Sequence, residues 1–205
     1  MRAIFLDRDG VINENRSDHV KTWDEFQFLP GSLEAMHLLN RAGYTLFVVT
    51  NQAIINRGIV TAATVEMIHQ RMRQIMQKCG IIVEDLRYCP HRPDEECACR
   101  KPAPGMLMSL IQAHQIDPQT TIMIGDALTD IAAARACGCR TIMVRTGRGA
   151  VDLAEKPDTR CLPDLVVDDL LAAARWIIAE QAQLQSPTDA HVPTLVGRNQ
   201  TEPSL

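Results

Sequence analysis

Two carboxylates, Asp7 and Asp9, stand two residues apart directly after the apolar run Ala3–Leu6, in the segment Ile-Phe-Leu-Asp-Arg-Asp-Gly-Val-Ile-Asn of residues 4–13. Like charges this close repel, and burial raises their pKa values further unless a cation sits between them. A hard divalent cation such as Mg2+ relieves both problems. One carboxylate is then free to act as a nucleophile and the other to move a proton. The same residues would also close a strand as an ordinary Asp-Gly turn, so the pair takes its meaning from its partners.

Three further segments offer such partners. Tyr44–Val49 runs into Thr50-Asn51-Gln52, whose hydroxyl and amide could donate to phosphate oxygens. Alone, that triplet reads more simply as a polar turn. Arg100-Lys101-Pro102 comes just before Pro104-Gly105 and a helix. Two cations before a helix N-terminus could hold an anion, although a solvated basic pair is an equal reading of that dipeptide alone. Thr121–Ile124 leads into Gly125-Asp126-x-x-x-Asp130. Gly125 permits close backbone approach and Asp126 adds a third carboxylate, while Asp130 could equally serve a helix start.

A second constellation is Cys89, His91, Cys97 and Cys99, within Cys-Pro-His-Arg-Pro-Asp-Glu-Glu-Cys-Ala-Cys-Arg-Lys of residues 89–101. Three thiolates and one imidazole make a closed tetrahedral zinc site with no position left for a catalytic water. Buried thiols or a disulfide are the alternatives, and the compactness of the cluster argues against both. Zinc would fold a polar loop that has few apolar residues and would fix Arg100 and Lys101. Cys79, Cys137, Cys139 and Cys161 have no second His nearby and are read as structural.

These residues need a scaffold, and strands and helices alternate along the chain. Strands are expected at Ala3–Leu6, Tyr44–Val49, Thr121–Ile124, Thr141–Val144 and Val166-Val167, with Ile81–Val83 and Leu86–Cys89 as one strand or two fragments. Helices are expected at Leu33–Ala42 with Ser32 as N-cap and Gly43 as stop, and at Thr61–Cys79 with Val65, Ile68, Met72, Ile75 and Met76 on one face. Further helices are expected at Met106–His114, Asp130–Cys137 and Asp168–Leu184. Strands separated by helices imply parallel pairing in a doubly wound α/β sheet. The ligand crevice then lies beyond the carboxyl ends of the strands, where every polar motif above falls. Asp9 to Thr50 and Thr50 to Arg100 each hold one strand–helix unit plus loops, which leaves no room for a large cap domain. Residues 1–185 are expected as one domain. Residues 186–205, polar and containing Pro187, Pro193 and Pro203, are expected as a flexible tail.

Composition narrows the possible partners. At 205 residues, 46% hydrophobic and 22% charged, the chain can bury a full core. A net charge of −4 gives no general basic footprint for nucleic acid. No apolar run is long enough to span a membrane, and Met-Arg-Ala with three apolar residues behind it is not a signal peptide. The expected compartment is the cytoplasm, where seven Cys point away from a disulfide framework.

Taken in order, Asp7-x-Asp9, Thr50, Lys101 and Gly125-Asp126 resemble the haloacid dehalogenase superfamily of phosphohydrolases over about residues 3–146. The resemblance implies a three-layer, Rossmann-like, mainly parallel sheet and an aspartyl-phosphate formed on Asp7. It implies Asp9 as general acid and then base, and Mg2+ held by Asp7, Asp126 and the backbone carbonyl of Asp9. Thr50 and Lys101 would neutralise the phosphoryl oxygens. Asp-Arg-Asp-Gly-Val-Ile-Asn, Thr-Asn-Gln, Arg57-Gly58, the Cys-x-His loop and Cys-Arg-Lys-Pro are similar to the D-glycero-D-manno-heptose 1,7-bisphosphate 7-phosphatases. Histidinol-phosphate phosphatases share that framework and zinc loop. After Thr-Asn-Gln the heptose family usually reads Ser-Gly-Ile, whereas this chain has Ala53-Ile54-Ile55, losing a hydroxyl and gaining bulk. The implied activity is Mg2+-dependent removal of the 7-phosphate, with Arg8, Asn13, Asn51, Gln52, Arg57 and Arg100 as substrate-binding groups. Alternatives are a phosphatase for histidinol phosphate or another small sugar phosphate, or a zinc-stabilised binding module without catalysis. The implied partner is a small phosphorylated substrate, with neither nucleic acid nor membrane, and the protein is expected to be a monomer.

Overall fold

The computed structural model describes residues 1–154 and 162–185. Six strands form one sheet: β1 Ala3–Leu6, β2 Thr45–Asn51, β3 Val83–Cys89, β4 Ile122–Gly125, β5 Arg140–Val144 and β6 Leu165–Val167. Their spatial order is β3-β2-β1-β4-β5-β6, and every pairing is parallel. The helices are α1 Ser32–Arg41, α2 Ala62–Lys78, α3 Gly105–His114, α4 Leu128–Ala136, α5 Gly149–Ala154 and α6 Leu170–Gln185.

Alternation along the strands explains the three layers, because successive side chains point to opposite faces. Ile4, Leu6, Leu46, Val48, Ile122 and Ile124 pack with Met36 and Leu39 of α1, Ile68 and Met72 of α2, and Ala173 and Ile177 of α6. Ala3, Phe5, Phe47, Val49 and Met123 pack on the other face against Met106, Leu107 and Leu110 of α3 and Ala133 and Ala134 of α4. Each buried Leu or Ile removed from water stabilises the fold by about 1.5–3 kcal/mol, so these two layers hold the strand ends rigidly. Residues 7–31 contain one 3-10 turn, Trp23–Glu25, and two isolated bridges, with no inserted domain. Among the described residues, no helix is long and apolar enough to cross a membrane.

Four local expectations change. Ser32 is the first residue of α1 and not its cap. Gly31, at φ +75°, takes the cap position, and the buried Ser32 hydroxyl has no partner among the described residues. Strand β2 runs on through Thr50 and Asn51, because pairing with Tyr88 and Cys89 of β3 extends the ladder past the apolar run. For the same reason β3 is continuous and not two fragments. Helix α5 was not expected from the sequence. It is short and opens at Gly149, where a Cβ would collide with the Val144 carbonyl. Thr61, expected as the first residue of α2, is its N-cap, accepting from the Thr64 amide at 3.1 Å. Cys161 and the expected tail of residues 186–205 lie outside the described residues.

Candidate active site

Register brings the functional groups to one edge of the sheet. Leu6 is level with Val48 and with Ile124, so Asp7, Thr50 and Asp126 emerge from three adjacent strand ends. The Asp7 amide donates to the Ile124 carbonyl at 3.0 Å and anchors the backbone there. This is the point where the strand order reverses direction from β1, the usual crevice of an open α/β sheet. A cavity of about 240 Å³ opens over it, lined by Asp7, Asp9, Thr50, Lys101, Asp126 and Asp130 among others.

Lys101 reaches into the crevice floor and is only 2% exposed. Its ammonium meets three acceptors: Asp7 Oδ1 at 2.8 Å, Asp130 Oδ1 at 2.6 Å and the Val49 carbonyl at 2.7 Å. Three donors on three acceptors satisfy the group completely. Burial works against its charge, but Asp130 and Asp7 outweigh that, and its pKa rises. Asp130 also accepts the Ala127 amide through Oδ2 at 3.1 Å, so it acts both as a helix-start residue and as the lysine's partner.

The carboxylates outnumber that cation. Oxygens of Asp7, Asp126 and Asp130 lie within 4.8 Å of one another. Burial pushes Asp7 up to about 7, with Lys101 opposing and Asp130 and Asp9 adding to the rise. Burial, then the charges of Asp7 and Asp130, push Asp126 up to about 8. An excess of buried carboxylate oxygens is the donor set that a hard cation such as Mg2+ requires. Asp126 is held by the Arg148 amide, which donates to Oδ2 at 2.8 Å. Gly10 and Gly147 close around the same oxygen, and a Cβ on either would collide with it.

Asp9 is tuned in the opposite direction. Arg8 Nη2 lies 2.8 Å from both of its oxygens, Asn13 Nδ2 donates to Oδ1 at 2.8 Å and Gln52 Nε2 to Oδ2 at 2.8 Å. Burial alone would raise its pKa, but Arg8 and these hydrogen bonds hold it below the usual carboxylate range. Two aspartates two residues apart thus favour different protonation states, because Asp7 lies among other carboxylates and Asp9 against a guanidinium and two amides.

The structure redistributes the expected substrate-binding residues. Arg8 and Asn13 are buried and line neither cavity at the site; both spend donors on Asp9. Gln52, also buried, bridges Asp9 and the Thr50 hydroxyl oxygen at 2.9 Å, leaving Thr50 its own O–H to donate. Asn51 pairs its amide with the Lys101 backbone in both directions, at 3.0 and 3.1 Å, and so ties that segment to β2. Arg100 and Arg57 do face open space, in a side cavity of about 80 Å³ shared with Asn15, Arg16 and His19. Those last three and Arg148 were missed from sequence. His19 carries one structural mark, a φ of +64° at a non-glycine residue, which no sequence pattern displays.

The Cys-His loop brings its four donor atoms within 4.8 Å of one another. Cys89 Sγ is 3.5 Å from Cys97 Sγ and 3.2 Å from Cys99 Sγ, and Cys97 and Cys99 are 3.4 Å apart. His91 Nδ1 is 3.4 Å from Cys89 Sγ and 3.3 Å from Cys99 Sγ. Donor separations of this size fit one small cation with metal–ligand bonds of about 2.0–2.3 Å, as zinc has. The Arg100 amide donates to Cys97 Sγ at 3.3 Å and its guanidinium to the His91 carbonyl at 3.1 Å, which couples the loop to the crevice.

Comparison with known proteins gives the same picture. A hydrolase family model described as HAD-hyrolase-like matches residues 98–173. The D-glycero-beta-D-manno-heptose-1,7-bisphosphate 7-phosphatase of Pseudomonas putida is 42% identical over 179 residues, covering 87% of this chain and 100% of that protein. The chain belongs to this phosphatase family. The Pseudomonas aeruginosa protein of the same name is 43% identical, covering 85% of this chain and 97% of its own. A crystal structure of the D,D-heptose 1,7-bisphosphate phosphatase from B. bronchiseptica, complexed with magnesium and phosphate, superposes with a TM-score of 0.83. It shares 39% identity and covers 88% of this chain and 99% of that one. The family is one of hydrolases, and the six-stranded parallel sheet with helices on both faces is the fold its members share.

Proposed function

We propose that the protein is a Mg2+-dependent phosphatase that removes the 7-phosphate of D-glycero-β-D-manno-heptose 1,7-bisphosphate. The observation that carries this reading is the meeting of Asp7, Asp126 and Lys101 in one buried crevice, with Asp9 at its rim. The β anomer is supported by the names of the relatives above. In this reading Asp7 attacks phosphorus, and the Asp7–phosphorus bond forms as the bond to the sugar oxygen breaks. Asp9 gives a proton to that oxygen. Asp9 then takes a proton from water, which attacks the aspartyl-phosphate and frees Asp7 and inorganic phosphate.

In this reading Lys101 and the Thr50 hydroxyl neutralise the phosphoryl oxygens, which is supported by their lining the same cavity as Asp7. Asp9 is engaged as a carboxylate, the state needed for the base half of the cycle. An arriving phosphate dianion would favour its protonated form for the acid half. Mg2+, when held by Asp7, Asp126 and the backbone carbonyl of Asp9, supplies the positive charge that screens Asp7 from the dianion. Zinc, held by Cys89, His91, Cys97 and Cys99, is structural. Thiolate ligands favour a reducing compartment, and we place the protein in the cytoplasm. We take the active form to be a monomer. The partner is a small phosphorylated sugar and neither nucleic acid nor a membrane.

The test is phosphate release by the purified protein with Mg2+. The substrates are both anomers of heptose 1,7-bisphosphate, histidinol phosphate and a phosphosugar panel. The expected result is the highest kcat/KM for the β anomer. Absence of turnover by folded protein, or a preference for histidinol phosphate, overturns the reading.

A further inference from the structure

We propose that His69 is a positioning residue for proton transfer: its Nε2 holds the Arg8 guanidinium, which in turn holds the carboxylate of Asp9. The proposal rests on the reading of Asp9 as the acid–base group.

The buried face of α2 is Val65, Ile68, Met72 and Met76, with one polar side chain, His69, only 3% exposed among them. Its Nε2 lies 3.0 Å from Arg8 Nη1. A guanidinium nitrogen can only donate, so Nε2 is the acceptor and the ring proton sits on Nδ1. That Nδ1 is buried and has no hydrogen-bond partner among the described residues. Leaving a buried N–H unpaired destabilises the fold. A histidine retained for packing alone would gain nothing for that cost, whereas an acceptor for Arg8 does. Burial first, and the neighbouring Arg8 charge second, keep the ring in its neutral, accepting form.

Arg8 itself is 1% exposed and enclosed on three sides. Its Nε and Nη2 grip Asp9, its Nη1 meets His69, and its guanidinium lies 6.0 Å over the Phe26 ring. Phe26 is stacked in turn on Trp23, which fixes that wall. Rotation of the guanidinium would carry the Asp9 oxygens with it, and His69 is the only hydrogen-bond acceptor of Nη1 among the described residues. Neither His69 nor Arg8 lines the crevice, so their effect falls on the orientation of Asp9 and not on substrate contacts.

The experiment compares two leaving groups in the full-length, Mg2+-loaded protein. A heptose alkoxide needs a proton to depart, whereas p-nitrophenolate leaves as a stable anion. His69→Leu and His69→Met remove the acceptor, either one sufficing if the other fails to fold; His69→Gln restores an acceptor oxygen. General acid–base catalysis is worth about 10²–10⁴-fold. Misaligning it is therefore expected to lower kcat on heptose 1,7-bisphosphate by about ten- to a hundredfold, with KM within about threefold. On p-nitrophenyl phosphate kcat/KM, which reports formation of the aspartyl-phosphate and not the later base step on water, stays within about threefold, and His69→Gln recovers most of the heptose loss. Equal losses of kcat/KM on both substrates, or no loss on either, overturn the proposal. Asp9→Asn is the control. If it discriminates between the substrates and the His69 variants do not, the proposal fails and the reading of Asp9 stands. If Asp9→Asn does not discriminate, both fall.

Discussion

The crevice and the zinc loop meet at Arg100 and Lys101, and opposite means build them. The crevice is made by strand ends that two buried apolar layers hold in register, and its charged groups are almost entirely out of water. The loop between β3 and Lys101 has little to bury: Arg92, Pro93, Asp94, Glu96 and Ala98 are exposed, and its one 3-10 turn is Pro93–Glu95. It takes its order from four converging donors. A core can orient charges only where chain already crosses the sheet. Lys101 arrives from the edge strand, and ligands supply the rigidity that apolar contacts do not.

The sharpest break in this comparison is within the crevice. Asp7→Asn is expected to lower phosphate release by more than about a thousandfold, since a nucleophile is lost and no neighbour replaces it. The fold should persist, because the amide keeps the shape and removes one of three crowded carboxylates; urea unfolding beside the phosphate assay checks both. Next is Lys101→Met, which strips the cation from Asp7 and Asp130. Breaking a buried ion pair in this way costs about 3–5 kcal/mol, to be read from denaturant unfolding.

Zinc removal separates the two regions. With a chelator, hydrogen exchange at residues 89–101 should accelerate while the central strands stay protected. Activity should fall by roughly tenfold or more, because small displacements of a positioned group have large kinetic effects. Unchanged activity in zinc-free protein would show that the crevice holds Lys101 without the loop.

The smallest effect is with pH. Asp7 and Asp126 keep protons in the native state that the unfolded chain releases, since their folded values of about 7 and about 8 exceed the ordinary 3.8. Without divalent metal, their contribution to stability is therefore greatest below about pH 4 and is lost as pH rises through about 7–8. Mg2+ should reverse that loss, raising Tm more at pH 8 than at pH 6. A gain from Mg2+ independent of pH would mean that these carboxyls are not the ligands.

Much of this was legible as local pattern. The apolar run of β1 and the Gly stop after α1 are read directly, because glycine tolerates the positive φ found at Gly43. The close spacing of Cys89, His91, Cys97 and Cys99 also sufficed, since ligands within one loop need no distant element to meet. What misled was polarity taken as a sign of facing substrate. Arg8, Asn13 and Gln52 are polar and adjacent to the motif, yet they turn inward to Asp9. Ser32 and the end of β2 were misplaced because capping and ladder length depend on neighbouring chain.

The sequence by itself determined the types of group available: three carboxylates, one lysine, one Thr-Asn-Gln run and a thiolate loop, each at a strand's end. Only the tertiary structure decided what each carboxylate is. Asp7 and Asp9 are chemically identical and two residues apart, yet one lies among Asp126, Asp130 and Lys101 and the other against Arg8, Asn13 and Gln52. Those surroundings come from residues up to more than a hundred positions away. Protonation in a low-dielectric site follows the nearest charges and donors, which strand register sets and local sequence does not.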